Sequence, residues 1–316
     1  MAEAIGDSSY LIDTGLYRPR LAACYLVEDH GELAIIDTGT QHSLPQVLDA
    51  IAMLGATPDQ VRYVIPTHVH LDHAGGAGRL MQACQQATLV VHPKGQAHMV
   101  DPSKLQAGAT AVYGEEAFQR DFGDLLPVPQ GRTLAAKDLQ SFDLGARTLQ
   151  FLDTPGHANH HGCVFDHRSG FLYTGDTFGL GYSEFRAKGD TLLVATTTPV
   201  AFDPDAWFNS LDHMLAFNPR ACCLTHFGRI DQPERHVGML RESIQAHVAI
   251  ALAEENREPE GREARLHAAV DRLLVAEGCR HSGLAEDQVR QIFANDIELN
   301  AQGLNVWLAR RAKRRA

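Results

Sequence analysis

Five times in this chain, a short run of β-branched and aromatic residues ends within a few positions in a histidine or an aspartate. Leu33-Ala-Ile-Ile36 leads to Asp37, and Val61-Arg-Tyr-Val-Ile65 leads to Thr67-His68-Val69-His70-Leu71-Asp72-His73. Leu149-Gln-Phe-Leu152 leads to His157, Phe171-Leu-Tyr173 to Asp176, and Ala221-Cys-Cys-Leu224 to His226. Runs of this kind read as buried strands, and open α/β sheets place their sites at strand ends. The histidine run therefore reads as a loop at a strand's C-terminal end, held by a rigid element, and the later strand ends as the segments that complete a metal site begun there.

The stretches between these runs support a layered α/β domain. Leu21–Val27 and Leu33–Ile36 read as strands joined by the turn Glu28-Asp29-His30-Gly31. Leu44, Val47, Leu48, Ile51 and Leu54 repeat at helical spacing between Ser43, a suitable N-cap, and Gly55. Gly75 and Gly76 permit close backbone approach before a helix near 77–86, and Thr88–Val91 reads as another strand. Residues 93–140 are rich in Gly, Pro, Ala and Gln and poor in periodicity, so they read as a structured insertion near a pocket. From Pro233 the spacing turns helical: Val237, Leu240, Ile244 and Val248 form one helix, Asn256–Gly261 interrupts it, and three more helices follow. The expected division is a domain over 1–234 and a helical appendage over 235–316.

Composition bounds the function. A formal net charge of −11 disfavours general affinity for nucleic acid, because phosphate neutralisation draws on Lys and Arg. The basic exception, Arg310 to Arg315, suits the solvated end of a terminal helix, where cations face its dipole. No apolar run approaches the roughly 20 residues that span a bilayer, so no membrane partner is expected. The N-terminus has neither a basic nor an apolar leader segment, and the six cysteines are scattered without a CxxC pair. Both features point to the cytoplasm.

Imidazole and carboxylate without thiolate suit zinc, and also iron or manganese. One ion cannot readily use His68, His70, Asp72 and His73 together and keep an open position. Two adjacent ions can, if later strand ends contribute, and His157, Asp176 and His226 have the right chemistry.

In order and number, His68-x-His70-x-Asp72-His73, Thr-Pro-Gly-His157, Thr-Gly-Asp176-Thr and Thr-His226-Phe-Gly resemble the motifs of the metallo-β-lactamase-fold (glyoxalase II-like) hydrolase superfamily, across about residues 10–230. The resemblance implies an αββα four-layer sandwich with a small C-terminal helical region, of which Asp296–Gly303 looks like a part. It assigns His68, His70 and His157 to one metal, Asp72, His73 and His226 to a second, and Asp176 as a bridge. Asp37 matches the aspartate that steadies the histidine loop, and His161, like His160, is expected to pack behind the ligands. The pair Asp72-His73, with no cysteine ligand, matches the thioesterase, lactonase and nuclease branches, and His70 stands where the diiron oxygen-reducing branch usually has Glu.

The implied activity is hydrolysis of a small ester, thioester or lactone by a hydroxide shared between two divalent ions. Asp72 would orient the nucleophile or relay its proton. Cleavage of phosphodiesters, and a ligand-binding or signalling role with weak catalysis, are the alternatives. Residues 93–140 and 178–200, including Thr196-Thr197-Thr198-Pro199, are the expected pocket loops. Phe178, Tyr182 and Phe185 form either an apolar pocket wall or core. His92, His98, His213, His236 and His247 are expected to be ordinary surface or partly buried residues. The expected partner is a small-molecule substrate, and the helical appendage either covers the pocket or joins two copies into a homodimer.

Overall fold

The computed structural model describes residues 2–187 and 190–315. They fall into two compact units. The first comprises Met1–Asp153, His160–Gly175 and Phe217–Asp231; the second comprises Thr154–Asn159, Asp176–Ala216 and Gln232–Ala316.

Both large sheets lie in the first unit. One runs in space as β1 (Glu3–Gly6), β2 (Ser9–Asp13), β3 (Ala23–Asp29), β4 (Glu32–Ile36), β5 (Val61–Ile65), β6 (Thr88–Val91) and β7 (Thr133–Ala135). Strands β1 to β4 pair antiparallel and β4 to β7 parallel. Parallel neighbours need crossover connections. α1 (Leu44–Met53) supplies the first, and α2 (Leu71–Ala74) with α3 (Ala77–Ala83) the second. α4 (Pro93–Val100), α5 (Ser103–Tyr113) and α6 (Glu115–Asp121) supply the third. The other sheet contains β8 (Ser141–Leu144), β9 (Arg147–Asp153), β10 (Gly162–Asp166) and β11 (Phe171–Gly175). After the short hairpin β12 (Arg186–Ala187) and β13 (Asp190–Thr191) in the second unit, β14 (Ala221–Leu224) and β15 (Gly228–Asp231) complete it. Its order is β15-β14-β11-β10-β9-β8.

The two-residue period of a strand explains why these sheets stack. Ile12, Cys24, Leu26, Leu33, Ile35 and Val64 face one side of the first sheet and pack with Val47 and Ile51 of α1 and Leu80 and Met81 of α3. The alternate positions Leu11, Tyr25, Ala34, Ile36 and Ile65 join Leu149, Phe151, Val164, Phe171, Tyr173 and Cys223 of the second sheet. β4 is therefore apolar on both faces, as a parallel interior strand should be. Sliding its register by one residue would exchange the two cores. Two sheets with flanking helices are the architecture that the motif resemblance implies.

Residues 93–140 form α4, α5, α6 and β7. Their weak periodicity has a physical cause: α5 buries no residue fully, so no apolar stripe marks it. The N-terminal hairpin is similarly faint, because only Ile5 of β1 is buried.

In the second unit, α7 (Pro204–Leu215) is capped by the Asp203 carboxylate, which accepts from Ala206 N at 3.2 Å. α8 (Pro233–Ala253), α9 (Arg262–Ser282), α10 (Glu286–Ile292) and α11 (Ala294–Arg315) follow, with the expected interruption at 256–261 between α8 and α9. Each long helix buries residues at intervals of three to four: Leu240 and Ile244, Leu266, Val270 and Leu274, then Ile297, Ala301, Leu304 and Leu308. α9 packs along α11. Among the described residues, no helix is long and apolar enough to cross a membrane.

Two features of this unit carry measurable consequences. At Gly303 on α11, a Cβ would sit 1.7 Å from the Thr197 carbonyl oxygen. Gly303→Ala should therefore destabilise the fold by about 1–3 kcal/mol, the range for overpacking, as read by urea unfolding. His247, expected to be exposed or partly buried, is fully enclosed on α8 with Nδ1 2.8 Å from the Ser243 carbonyl. Burial pushes its imidazole down from the usual 6.5 to about 4. The folded chain keeps this ring neutral while the unfolded chain protonates it, so its contribution is complete above pH 6.5 and is lost as pH falls towards 4. The full loss is about 3 kcal/mol. In chelator, His247→Asn should lose correspondingly less stability than the parent between pH 7 and 4.5.

Candidate metal centre

β5 ends at Ile65, and Pro66 cannot donate to a further ladder bond. The chain then turns through Thr67–His70 into the single helical turn α2, where His73 N and Ala74 N donate to the His70 carbonyl. Gly75 and Gly76 follow because nothing larger fits. A Cβ at Gly76 would lie 2.6 Å from the Thr40 carbonyl, and one at Gly75 2.3 Å from that of Leu71. The facing loop after β4 closes the turn: Thr38 N and Thr38 Oγ1 donate to the His73 carbonyl at 2.7 and 2.8 Å, and Gly76 N donates to Gly39.

Asp37 organises this arrangement from the end of β4. It is 1% exposed and adopts φ +57°, an uncommon conformation for a residue with a Cβ. Its Oδ1 accepts from Thr67 N at 2.7 Å and Thr67 Oγ1 at 2.9 Å. Oδ2 accepts from Thr225 Oγ1 at 2.6 Å and lies 2.8 Å from His73 Nδ1. One carboxylate thus ties together the ends of β4, β5 and β14.

Five of the seven expected ligands belong to the first unit. His68 Nε2 and His70 Nδ1 are 2.9 Å apart. Asp72 Oδ2 lies 3.1 Å from His226 Nε2 and 3.5 Å from His73 Nε2, and donor atoms of these three residues all fall within 4.8 Å of one another. The His161 ring is fully buried with its centroid 4.8 Å from that of His68, and His160 stacks at 6.1 Å. His226 Nδ1 meets the Leu21 carbonyl at 2.8 Å.

The other two ligands belong to the second unit, where His157 Nε2 is 3.5 Å from Asp176 Oδ2. His157 Nδ1 meets the Thr196 carbonyl at 2.8 Å. α7 holds both segments. Ser210 Oγ donates to the Pro155 carbonyl, Trp207 Nε1 donates to that of Thr177, and Thr177 Oγ1 donates to that of Thr154. A Cβ at Gly156 would lie 2.4 Å from Trp207 Cα. Thr196 is set in turn by its neighbour Thr197, whose N and Oγ1 both donate to Asn300 Oδ1 on α11.

This donor set fits a divalent ion. In His73, His226 and His157, Nδ1 faces a carboxylate or carbonyl that can only accept, so Nδ1 carries the hydrogen and Nε2 presents its lone pair. Among the described residues no cysteine joins either candidate ligand group, which leaves nitrogen and oxygen donors suited to zinc, iron or manganese.

The Metallo-beta-lactamase superfamily model matches residues 17–226. The chain belongs to the metallo-β-lactamase superfamily. It is 26% identical over 240 residues to the metallo-β-lactamase fold-containing protein ST1585 of Sulfurisphaera tokodaii, covering 73% of this chain and 84% of that one. The solved structure of ST1585 superposes with a TM-score of 0.63 at 22% identity, over 95% of this chain and 98% of that one. A hydroxyacylglutathione hydrolase of Methylobacillus flagellatus is 30% identical over 158 residues, half of this chain and 48% of its own. The N-acyl homoserine lactonase AttM of Agrobacterium fabrum is 31% identical over 117 residues, 36% of this chain and 39% of its own. The chain thus spans most of ST1585 but less than half of either named hydrolase. Metallo-β-lactamase membership implies divalent-metal binding, and the His/Asp cluster is present.

Phe178, Tyr182 and Phe185 are all buried. Phe185 stacks on Phe293 at 4.6 Å, and Tyr182 Oη donates to the Asp296 carboxylate at 3.1 Å. Sequence reasoning missed the Leu21 and Thr196 carbonyls that orient His226 and His157, because a backbone acceptor leaves no residue signature. It also missed Thr67 and Thr225, although each directly adjoins a ligand histidine in sequence. Asp37→Asn replaces an acceptor-only group with one that presents N–H towards donors. Metal affinity should fall about 10–100-fold by chelator competition while the circular dichroism of the fold is kept.

Proposed function

We propose that this protein is a dinuclear-metal hydrolase of small carboxylic esters, thioesters or lactones, with zinc as the preferred ion. The observation that carries the reading is the nitrogen and oxygen donor set in which Nδ1 of His73, His226 and His157 each faces an acceptor, leaving Nε2 for a metal. In the first unit Asp72, His73 and His226 hold their donor atoms together; in this reading they take one ion, and His68, His70 and His157 the other. In this reading Asp176 serves both ions. The named relatives support acyl chemistry, one being a hydroxyacylglutathione hydrolase and the other a lactonase.

Two bound divalent ions supply a water of lowered pKa and Lewis acidity towards an acyl oxygen. The chain's own groups do the remainder. Asp37 and the Leu21 and Thr196 carbonyls hold the imidazoles of His73, His226 and His157, so these three ligands are oriented before substrate arrives. Asp72 keeps 27% of its side chain exposed, and its carboxylate orients the attacking water and takes its proton.

Metal analysis followed by a panel of acyl thioester, lactone, β-lactam and phosphodiester substrates tests the reading. Turnover on the thioester or lactone that chelation abolishes and zinc restores is expected, while turnover on bis(p-nitrophenyl) phosphate alone overturns the acyl assignment. Asp72→Asn, with both metals retained, should lower kcat by about 10²–10⁴-fold. Full activity in that variant removes Asp72 from the proton path.

A further inference from the structure

Two segments of the second unit meet at a single backbone bridge, where Leu180 N and Val194 N each donate to the other residue's carbonyl, at 2.9 and 3.0 Å. Successive residues of an extended chain point their N–H and C=O to opposite edges, so the Thr196 carbonyl leaves by the same edge as Val194. There it meets His157 Nδ1 at 2.8 Å. The N–H groups of Leu193, Ala195 and Thr197 leave by the other edge. All three residues are fully buried, so water cannot serve these amides, and among the described residues no strand pairs with that edge. Helix side chains stand in for the strand. Leu193 N donates to Met239 Sδ at 3.1 Å, Ala195 N to Ser243 Oγ at 2.9 Å, and Thr197 N to Asn300 Oδ1 at 2.5 Å.

The spacing explains how helices can do this. Met239 and Ser243 lie four residues apart on α8, a rise of about 6 Å, and alternate amides of an extended chain are about 6.6 Å apart. One face of α8 can therefore serve two successive edge amides. His247, next in that row, turns its Nδ1 to the Ser243 carbonyl instead, and Asn300 of α11 takes the third amide. Asn300 holds Thr197 doubly, because Thr197 Oγ1 also donates to Oδ1 at 2.7 Å, and Gly303 brings α11 up against the Thr197 carbonyl. Slipping the segment by one residue would turn the Thr196 carbonyl towards the helices and away from His157.

We propose that Met239, Ser243 and Asn300 are positioning residues for His157. They fix the register of residues 193–197, the register aims the Thr196 carbonyl, and the carbonyl keeps the hydrogen on Nδ1 and the lone pair on Nε2. The consequence for metal affinity rests on the reading of His157 as a ligand, and on nothing about the reaction that follows. It gives the C-terminal helices a function exerted through the backbone.

Imidazole nitrogen NMR of the metal-free protein tests this before any metal or substrate is added. His157, assigned by its loss in His157→Asn, should show a protonated Nδ1 that exchanges slowly with solvent. Asn300→Ala and Ser243→Ala should each speed that exchange about fivefold to tenfold, the equilibrium change expected for one hydrogen bond. Zinc affinity by chelator competition should fall about tenfold in Asn300→Ala, the low end for groups that orient a ligand. Thr197→Val keeps the backbone bond to Asn300 and loses only the hydroxyl; it should move both readouts in the same direction, and Thr197→Ser should restore them. Val270→Ala removes core volume on α9 and no hydrogen bond, and should leave both at parental values. Parental exchange in Asn300→Ala or, where that variant does not fold, in Thr197→Val overturns the positioning role, as does an equal change in Val270→Ala. Zinc affinity unchanged in His157→Asn removes His157 from the ligands and counts against the dinuclear reading, and the exchange rates then decide the positioning role by themselves.

Discussion

The geometry of the histidine loop depends on one buried carboxylate. Asp37 accepts from a backbone N–H and two threonine hydroxyls and faces one imidazole Nδ1, at 2.6 to 2.9 Å. A carboxylate withdrawn from water is costly unless its lone pairs are satisfied, and here three strand ends must stay in register to satisfy them. The same contacts work in the reverse direction. Removing Asp37 would leave the Thr67 amide and the Thr225 hydroxyl facing a buried void, so the strand ends and the His73 tautomer stand or fall together. The left-handed backbone at Asp37 is maintained because the charge-assisted bonds exceed its strain.

His157 is oriented by a different logic, through a backbone carbonyl at Nδ1. Its Nδ1 meets the Thr196 carbonyl, and Thr197 beside it is clasped by the Asn300 side chain and lies against Gly303. The C-terminal helix thus reaches a candidate ligand through two links, neither of which touches the imidazole except by a backbone oxygen. Asn300 is almost completely buried, so its amide has no water to turn to when this contact is broken. This gives α11 a definite task in the second unit: it fixes the height of the strand-like segment on which His157 leans.

How much could be read from the residues alone follows from what each feature writes into sequence. Runs such as Leu33–Ile36 and Ala221–Leu224 are apolar on both faces, so they stand out as strands, and the polar residues that end them stand out as a site. His68-x-His70-x-Asp72-His73 is legible because metal ligation demands side-chain chemistry that a core does not. α5 left no such mark, since its apolar residues are split between the Phe118–Phe122 cluster and solvent. Nor was the burial of His247 legible: a histidine that ends up neutral inside α8 looks in sequence like one at the surface. The orienting carbonyls are silent for the reason that every residue carries one.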